Sequence, residues 1–280
     1  MNMVKRFGYC GWLLCGKRLP EIIDFLHKEG FNSVSWLQSI LDYDPEERKD
    51  AAAAIREKDF TLCFHGNVQN RMNPDNTIDE NFARQVFEDV LWWHENTNGV
   101  VSCCSDALHR FGAEQTFRLF QLEAEFFEGK GIGYGIENSA GKSYASIDEM
   151  KEFRERLEKR QPITGAGMIF DVGHANIYLK RDCQEKMTLR EYINRIPYRF
   201  YELHITDNHG EKDEHFMPGT GNIDFAELRD ALKEKGFNGI ISLEVCRDIQ
   251  KGLYGFDISV PADRDVICRA RDEFFTRFGA

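Results

Sequence analysis

The 280-residue chain holds no run approaching the ~18 consecutive apolar residues that a membrane-spanning helix needs. It has no CxxC pair either: its eight cysteines (10, 15, 63, 103, 104, 183, 246 and 268) show neither a zinc-ribbon pattern nor a small secreted framework. Several lie inside apolar runs, where a reduced cysteine behaves as a small hydrophobe, so reduced cytosolic thiols are the economical reading. Positive charge is in short supply. With 36 Lys and Arg against 47 Asp and Glu, the net charge of −11 argues against a surface selected for nucleic acid and fits a cytoplasmic enzyme. No Pro- or Ser-rich linker and no composition break divides the chain, which reads as one domain over 1–280. No strand-like run leads into GxGxxG or GxxxxGK[ST], which sets aside the nucleotide-binding loops. Lys5 and Arg6 before FGYCGWLLCG resemble a short export signal ending at Cys15. That run is about ten residues long, contains glycines and has the bulky Leu14 before Cys15, so it reads as a first strand and loop.

What the chain does have is alternation. Apolar runs at 4–11, 32–36, 60–65, 99–104, 131–137, 167–172, 200–205 and 239–245 read as strands. Helical patterns follow at 19–30, 45–59, 78–96, 113–129, 146–159, 187–195, 225–235 and 262–277. The strands are nearly continuous in apolar residues, as burial of both faces of a parallel sheet demands. Eight strands alternating with eight helices predict a single (β/α)8 TIM barrel, with a doubly wound open sheet as the alternative. A hydrophobic fraction of 42%, with 22 Phe, is enough to fill such a core.

In such a barrel, chemistry collects at the carboxyl ends of the strands. Four consecutive runs end there in metal-ligand types: GIGYGIEN in Glu137, GMIFDVGH in Asp171 and His174, FYELHITDN in His204, and GIISLEV in Glu244. A carboxylate at a buried strand end is costly unless it is paired or ligating, so a divalent-metal site among these strand-end residues is expected. Asp171 and His174 form D-x-x-H where strand becomes loop, and a sharp turn there would aim both side chains into one space. Downstream, Asp213 and His215 are two apart in the most polar segment, and an extended loop projects them to the same side. His65 ends the third strand in CFHGN and faces the same mouth. Trp12 and Trp36, just past the first two strands, are candidate pocket walls. His209 is expected to be exposed, and His27, His94 and His109 are assigned no chemistry.

The segments IEN, FDVGHAN, HITDNHGEKDEHFMPGTGNID and LEV resemble the xylose isomerase-like TIM-barrel superfamily, which holds sugar isomerases and epimerases and the endonuclease IV-type abasic-site nucleases. The eight-unit alternation extends the resemblance over nearly the whole chain. It implies that Glu137, Asp171, His204 and Glu244 are the shared metal ligands, and that Glu137 and Glu244 also transfer the proton in an epimerase. A cation there would act as a Lewis acid toward adjacent substrate oxygens and stabilise an enediolate. Mn²⁺, Zn²⁺, Mg²⁺ and Co²⁺ all suit these ligands, with Mn²⁺ or Zn²⁺ favoured by the histidines. His174 and Arg247 are candidates for orienting hydroxyls or a phosphate, with His65 and Trp12 beside the substrate. The resemblance also implies that residues placed like His174, Asp213 and His215 hold a second metal in the nuclease branch, and one placed like His65 helps hold a third. This chain departs from that branch: its fourth strand ends in VVSCCSD, so Cys103 or Cys104 stands where a histidine would. Val68 stands where the nucleases carry an aromatic, and the loops after strands one and two carry little positive charge. The expected activity is a divalent-metal-dependent isomerase or epimerase of a sugar, polyol, cyclitol or sugar phosphate, in a protein that forms homo-oligomers by family analogy. The alternative is a zinc-dependent phosphoester hydrolase.

Overall fold

The apolar runs form eight short strands: β1 (Phe7–Cys10), β2 (Ser33–Leu37), β3 (Thr61–Gly66), β4 (Val100–Ser105), β5 (Gly133–Ile136), β6 (Ala166–Asp171), β7 (Arg199–Ile205) and β8 (Ile240–Leu243). The computed structural model describes residues 4–14, 17–37, 44–140, 143–245 and 263–279. Every strand pairs in parallel with its sequence neighbours, and β1 pairs with β8, so the sheet closes into a barrel in chain order. All residues of β1, β5, β6 and β8 are buried, as expected for strands covered on both faces.

Helices α1 (Leu19–Lys28), α2 (Pro45–Glu57), α3 (Glu80–Asn96), α4 (Ala113–Phe127), α5 (Ile147–Glu158), α6 (Val172–Ile177), α7 (Leu189–Arg195), α8 (Phe225–Lys235) and α9 (Arg264–Phe278) supply the outer layer. Their starts are written in the sequence. Asp44, Asp79, Ser146, Thr188, Asp224 and Asp263 each accept backbone N–H groups at the first turn of α2, α3, α5, α7, α8 and α9. These helices stand where the sequence pattern places them, within a few residues at the ends. Helix α6 was not anticipated, because six residues are too few to show a helical period.

The interior is not a plain apolar plug. Along β7 the register shifts opposite Met168 and Ile169, which makes Tyr201 the extra residue of a bulge. Its ring takes the space above Gly133 and Gly167: a Cβ on either would lie 2.3 or 2.4 Å from the ring. The Tyr201 hydroxyl donates to the Gly165 carbonyl at 2.9 Å. Trp36, offered as a pocket wall, packs instead with Ile23, Ala51, Ile55, Leu62, Phe64 and Trp93 in the layer between strands and helices.

Candidate metal centre

Strands β5 to β8 each deliver one buried polar side chain to the carboxyl end of the barrel: Glu137 just past β5, Asp171 ending β6, His204 in β7 and Glu244 just past β8. One donor atom from each of the four lies within 4.8 Å of all the others. His204 Nδ1 stands 3.4 Å from Glu137 Oε1 and 3.2 Å from Glu244 Oε2. Its other ring nitrogen faces into the barrel, 3.7 Å from Oε1 of the buried Glu202.

Asp171 is held from two sides. Its Oδ1 accepts the His174 N–H at 2.5 Å as the N-cap of α6, so strand passes directly into helix. The Asn138 side chain donates to the Asp171 carbonyl at 2.9 Å and accepts its N–H at 2.8 Å, bracing it from the β5 side. Asp171 Oδ2 is left buried without a hydrogen-bond partner among the described residues. Burial pushes the Asp171 carboxyl up to about 7, with the His174 charge opposing and Glu137 and Glu244 adding to the shift. Three carboxylates, one of which carries an orphaned buried oxygen, and an imidazole meet within 4.8 Å and fit a divalent cation, which would relieve the repulsion among the carboxylates.

Further charged side chains press on this point. His65 Nε2 lies 2.5 Å from Glu137 Oε2 and 3.2 Å from Asp106 Oδ1, and its ring stacks on that of His204 with centroids 5.6 Å apart. Burial opposes ionisation of Glu137, but His204 and His65 outweigh it and hold the carboxyl well below its usual range. Asp106 follows β4 and was passed over in the sequence, where it looks like ordinary loop polarity.

His174, Asp213 and His215 meet as their polar context suggested. His174 Nδ1 lies 2.8 Å from the Asn138 carbonyl and His215 Nδ1 lies 3.1 Å from the Glu244 carbonyl. A carbonyl can only accept, so both Nδ1 atoms carry the hydrogen and both Nε2 atoms turn toward Asp213 Oδ2, at 3.3 and 3.0 Å. Two Nε2 atoms facing one carboxylate require protons or a shared cation. Burial disfavours the charges here as well, yet His215 is pushed up to about 9 by Asp213, while His215 and His174 hold Asp213 well below its usual range. The loop that carries them is tied by Asp207, whose carboxylate accepts the N–H groups of Asn208, Gly219 and Ile223 at 2.9, 2.7 and 3.2 Å.

Other expected residues fall elsewhere. Arg247 and the side chain of Trp12 lie outside the described residues, as does the side chain of His109. Cys103 and Cys104 are buried in β4, and neither belongs to a cluster of donor atoms among the described residues. The thiol that does is Cys10, at the end of β1, which sequence reading took as one more small hydrophobe. His209 is exposed and pairs with Glu214 at 3.0 Å, and His94 Nδ1 accepts the Val100 N–H at 3.0 Å as a structural cap of β4.

The chain belongs to the xylose isomerase-like TIM barrel family, whose sequence profile matches residues 23–260. It is 32% identical over 134 residues to an uncharacterized protein of Methanocaldococcus jannaschii; the match covers 47% of this chain and 43% of that protein, so it spans less than half of the relative's length. Among solved structures, it superposes on a D-psicose 3-epimerase from Clostridium cellulolyticum H10 with a TM-score of 0.72 at 18% identity, covering 98% of this chain and 99% of that one. A D-tagatose 3-epimerase-like protein gives 0.70 at 18% identity, covering 98% of each chain. The 3-keto-D-glucoside 4-epimerase of E. coli gives 0.66 at 14% identity, covering 95% of this chain and 99% of that one. At these identities the likeness establishes the fold. Among the described residues, no helix is long and apolar enough to cross a membrane.

Proposed function

We propose that the protein is a divalent-metal-dependent isomerase or epimerase of a small sugar, polyol or sugar phosphate, in which Glu137 and Glu244 move the proton. The observation that carries this reading is the convergence of Glu137 and Glu244 with Asp171 and His204 at one buried point. The sugar epimerases among the structural neighbours support it. A divalent cation of the Mn²⁺ or Zn²⁺ kind, held by these four residues, supplies Lewis-acid polarisation of the substrate's carbonyl and neighbouring hydroxyl. His65 engages Glu137 through Oε2, so the opposite oxygen, Oε1, is the one directed to the centre. One glutamate takes the proton from the carbon beside the carbonyl, and the other returns a proton to the opposite face or the neighbouring carbon. His174, with Nδ1 committed to the Asn138 carbonyl, holds Nε2 3.3 Å from Asp213 Oδ2, where a hydroxyl or phosphate of the substrate would compete for it. Incubation in D₂O with a panel of ketoses, inosose-type cyclitols and their phosphates tests the reading. Deuterium uptake at a carbon next to the carbonyl supports it, and a panel that stays unlabelled with Mn²⁺ and Zn²⁺ present sinks it.

A second reading, metal-assisted phosphoester hydrolysis, is favoured by one observation: Asp213 stands between two histidine Nε2 atoms in an arrangement that a second cation would satisfy. Counting bound metals separates the two. One ion per chain supports proton transfer; two or three Zn²⁺, with cleavage of abasic-site DNA, support hydrolysis.

A further inference from the structure

Cys10 closes β1 beside β8, where the neighbouring pair in register is Tyr9 with Leu243, so the next residue on each strand is Cys10 and Glu244. Its side chain is fully buried, and its sulfur lies within 4.8 Å of donor atoms of both His204 and Glu244. The other buried thiols of the described barrel, Cys63, Cys103 and Cys104, belong to no such group. The Cys10 sulfur thus stands close enough to both residues to share one ion with them. Carboxylate and water ligands suit Mg²⁺ and Mn²⁺, whereas thiolate selects softer ions.

We propose that Cys10 is an additional donor at this centre, so that the site keeps a thiophilic divalent cation, of the zinc or cobalt(II) class, in preference to the magnesium class. The inference rests on the metal-site reading above and goes beyond it by assigning the residue that chooses the ion. As the sulfur–metal bond forms, the thiol proton leaves to solvent; no electron is transferred. The residues that would hold the cation are then Glu137, Asp171, His204 and Glu244, with Cys10 added from the β1 side through its closeness to His204 and Glu244.

Cobalt(II) tests this by absorption alone, without any substrate. Full-length protein stripped with chelator is titrated with Co²⁺ while the visible d–d bands and the near-ultraviolet sulfur-to-cobalt charge-transfer band are recorded. The expected result is both sets of bands in the wild type, with the charge-transfer band lost and the d–d bands kept in Cys10→Ser. Affinity for Zn²⁺ relative to Mn²⁺ should fall about tenfold in the variant, the scale on which metal sites respond to a changed donor environment. Cys10→Ala serves the same purpose if the serine disturbs folding. Bands of the d–d type without charge transfer in the wild type, or a charge-transfer band that survives Cys10→Ser, overturn the Cys10 assignment and leave the metal site standing. An absence of any cobalt band overturns both readings together.

Discussion

His215 aims its Nε2 at Asp213 Oδ2 from 3.0 Å, across a single intervening residue. In an extended loop the two would merely lie on the same side. Here His215 adopts a left-handed backbone, φ 47°, which turns its ring back onto Asp213. For a non-glycine residue that conformation costs on the order of 1 kcal/mol or more. The Nδ1–H bond to the Glu244 carbonyl and the contact with Asp213 offset it. The loop after β7 is thereby fastened to the end of β8, beside the candidate metal ligands.

This pairing sets a pH dependence. Burial by itself would lower the His215 value, but the Asp213 carboxylate pushes it up to about 9. The folded value lies above the unfolded ~6.5, so the stabilisation is fully present below that value and is lost as pH rises through about 9. In chelator-treated protein the urea midpoint should therefore fall between about pH 7 and pH 10. His215→Gln should be less stable at pH 7 and flatter over that range. Equal slopes in the variant and the wild type would show that this imidazolium contributes nothing.

Glu244→Gln and Glu137→Gln should each lower turnover by about 10²–10⁴-fold, the usual contribution of a positioned acid or base. Each exchange keeps the side-chain shape and removes one negative charge from a crowded cluster. Because His204 and His65 hold the Glu137 carboxyl ionised, the metal-free Glu137→Gln protein should melt below the metal-free wild type. Activity that survives either change refutes the role given to that glutamate, and a metal-free Glu137→Gln protein that melts with the wild type shows that the His65 and His204 contacts add nothing to the fold.

The barrel was legible because closure of a parallel sheet buries both faces of every strand, and such strands appear in sequence as unbroken apolar runs. The four residues of the candidate centre were legible for the complementary reason: a charged residue ending such a run has no solvent to face. Glu202 was harder to see, being one polar letter inside FYELHI, although strand spacing puts it on the same face as His204. Cys10 gave no signal at all, since a thiol that ligates and a thiol that packs occupy the same kind of run. The bulge at Tyr201 and the turn at His215 depend on neighbours distant in sequence, Gly133 and Gly167 for the one and the Glu244 carbonyl for the other.

Gly135→Ala should damage the centre without touching a donor. Gly135 lies in β5 two residues before Glu137, with φ 158°, and a Cβ there would stand 1.9 Å from the Gly167 carbonyl oxygen. That oxygen is backbone of β6 and cannot swing aside, so β5 must move away and carry Glu137 with it. The expected cost is about 2–4 kcal/mol in urea unfolding, from the clash and the strain together. Metal affinity should weaken in the same variant. An alanine variant with wild-type stability and wild-type metal binding would show that the strand has slack at this position.

Removing and restoring the cation should show a pH signature of its own, arising from Asp171. In the metal-free protein its carboxyl is pushed up to about 7, chiefly by burial. An acid whose folded value exceeds the unfolded ~3.9 stabilises the fold at low pH, and that contribution is lost as pH rises through about 7. A cation takes the place of the proton and restores what ionisation costs, so binding should tighten as pH climbs to about 7 and level off above it. Saturation at 100 times the dissociation constant adds about 2.7 kcal/mol. At a fixed Mn²⁺ or Zn²⁺ concentration the rise in melting temperature should therefore be larger at pH 8 than at pH 6. In Asp171→Asn, with nothing to ionise, the rise should be small and nearly independent of pH. If the wild type and Asp171→Asn respond to the ion alike at both pH values, Asp171 is not a ligand, and its buried oxygen Oδ2 must be explained by something other than a metal.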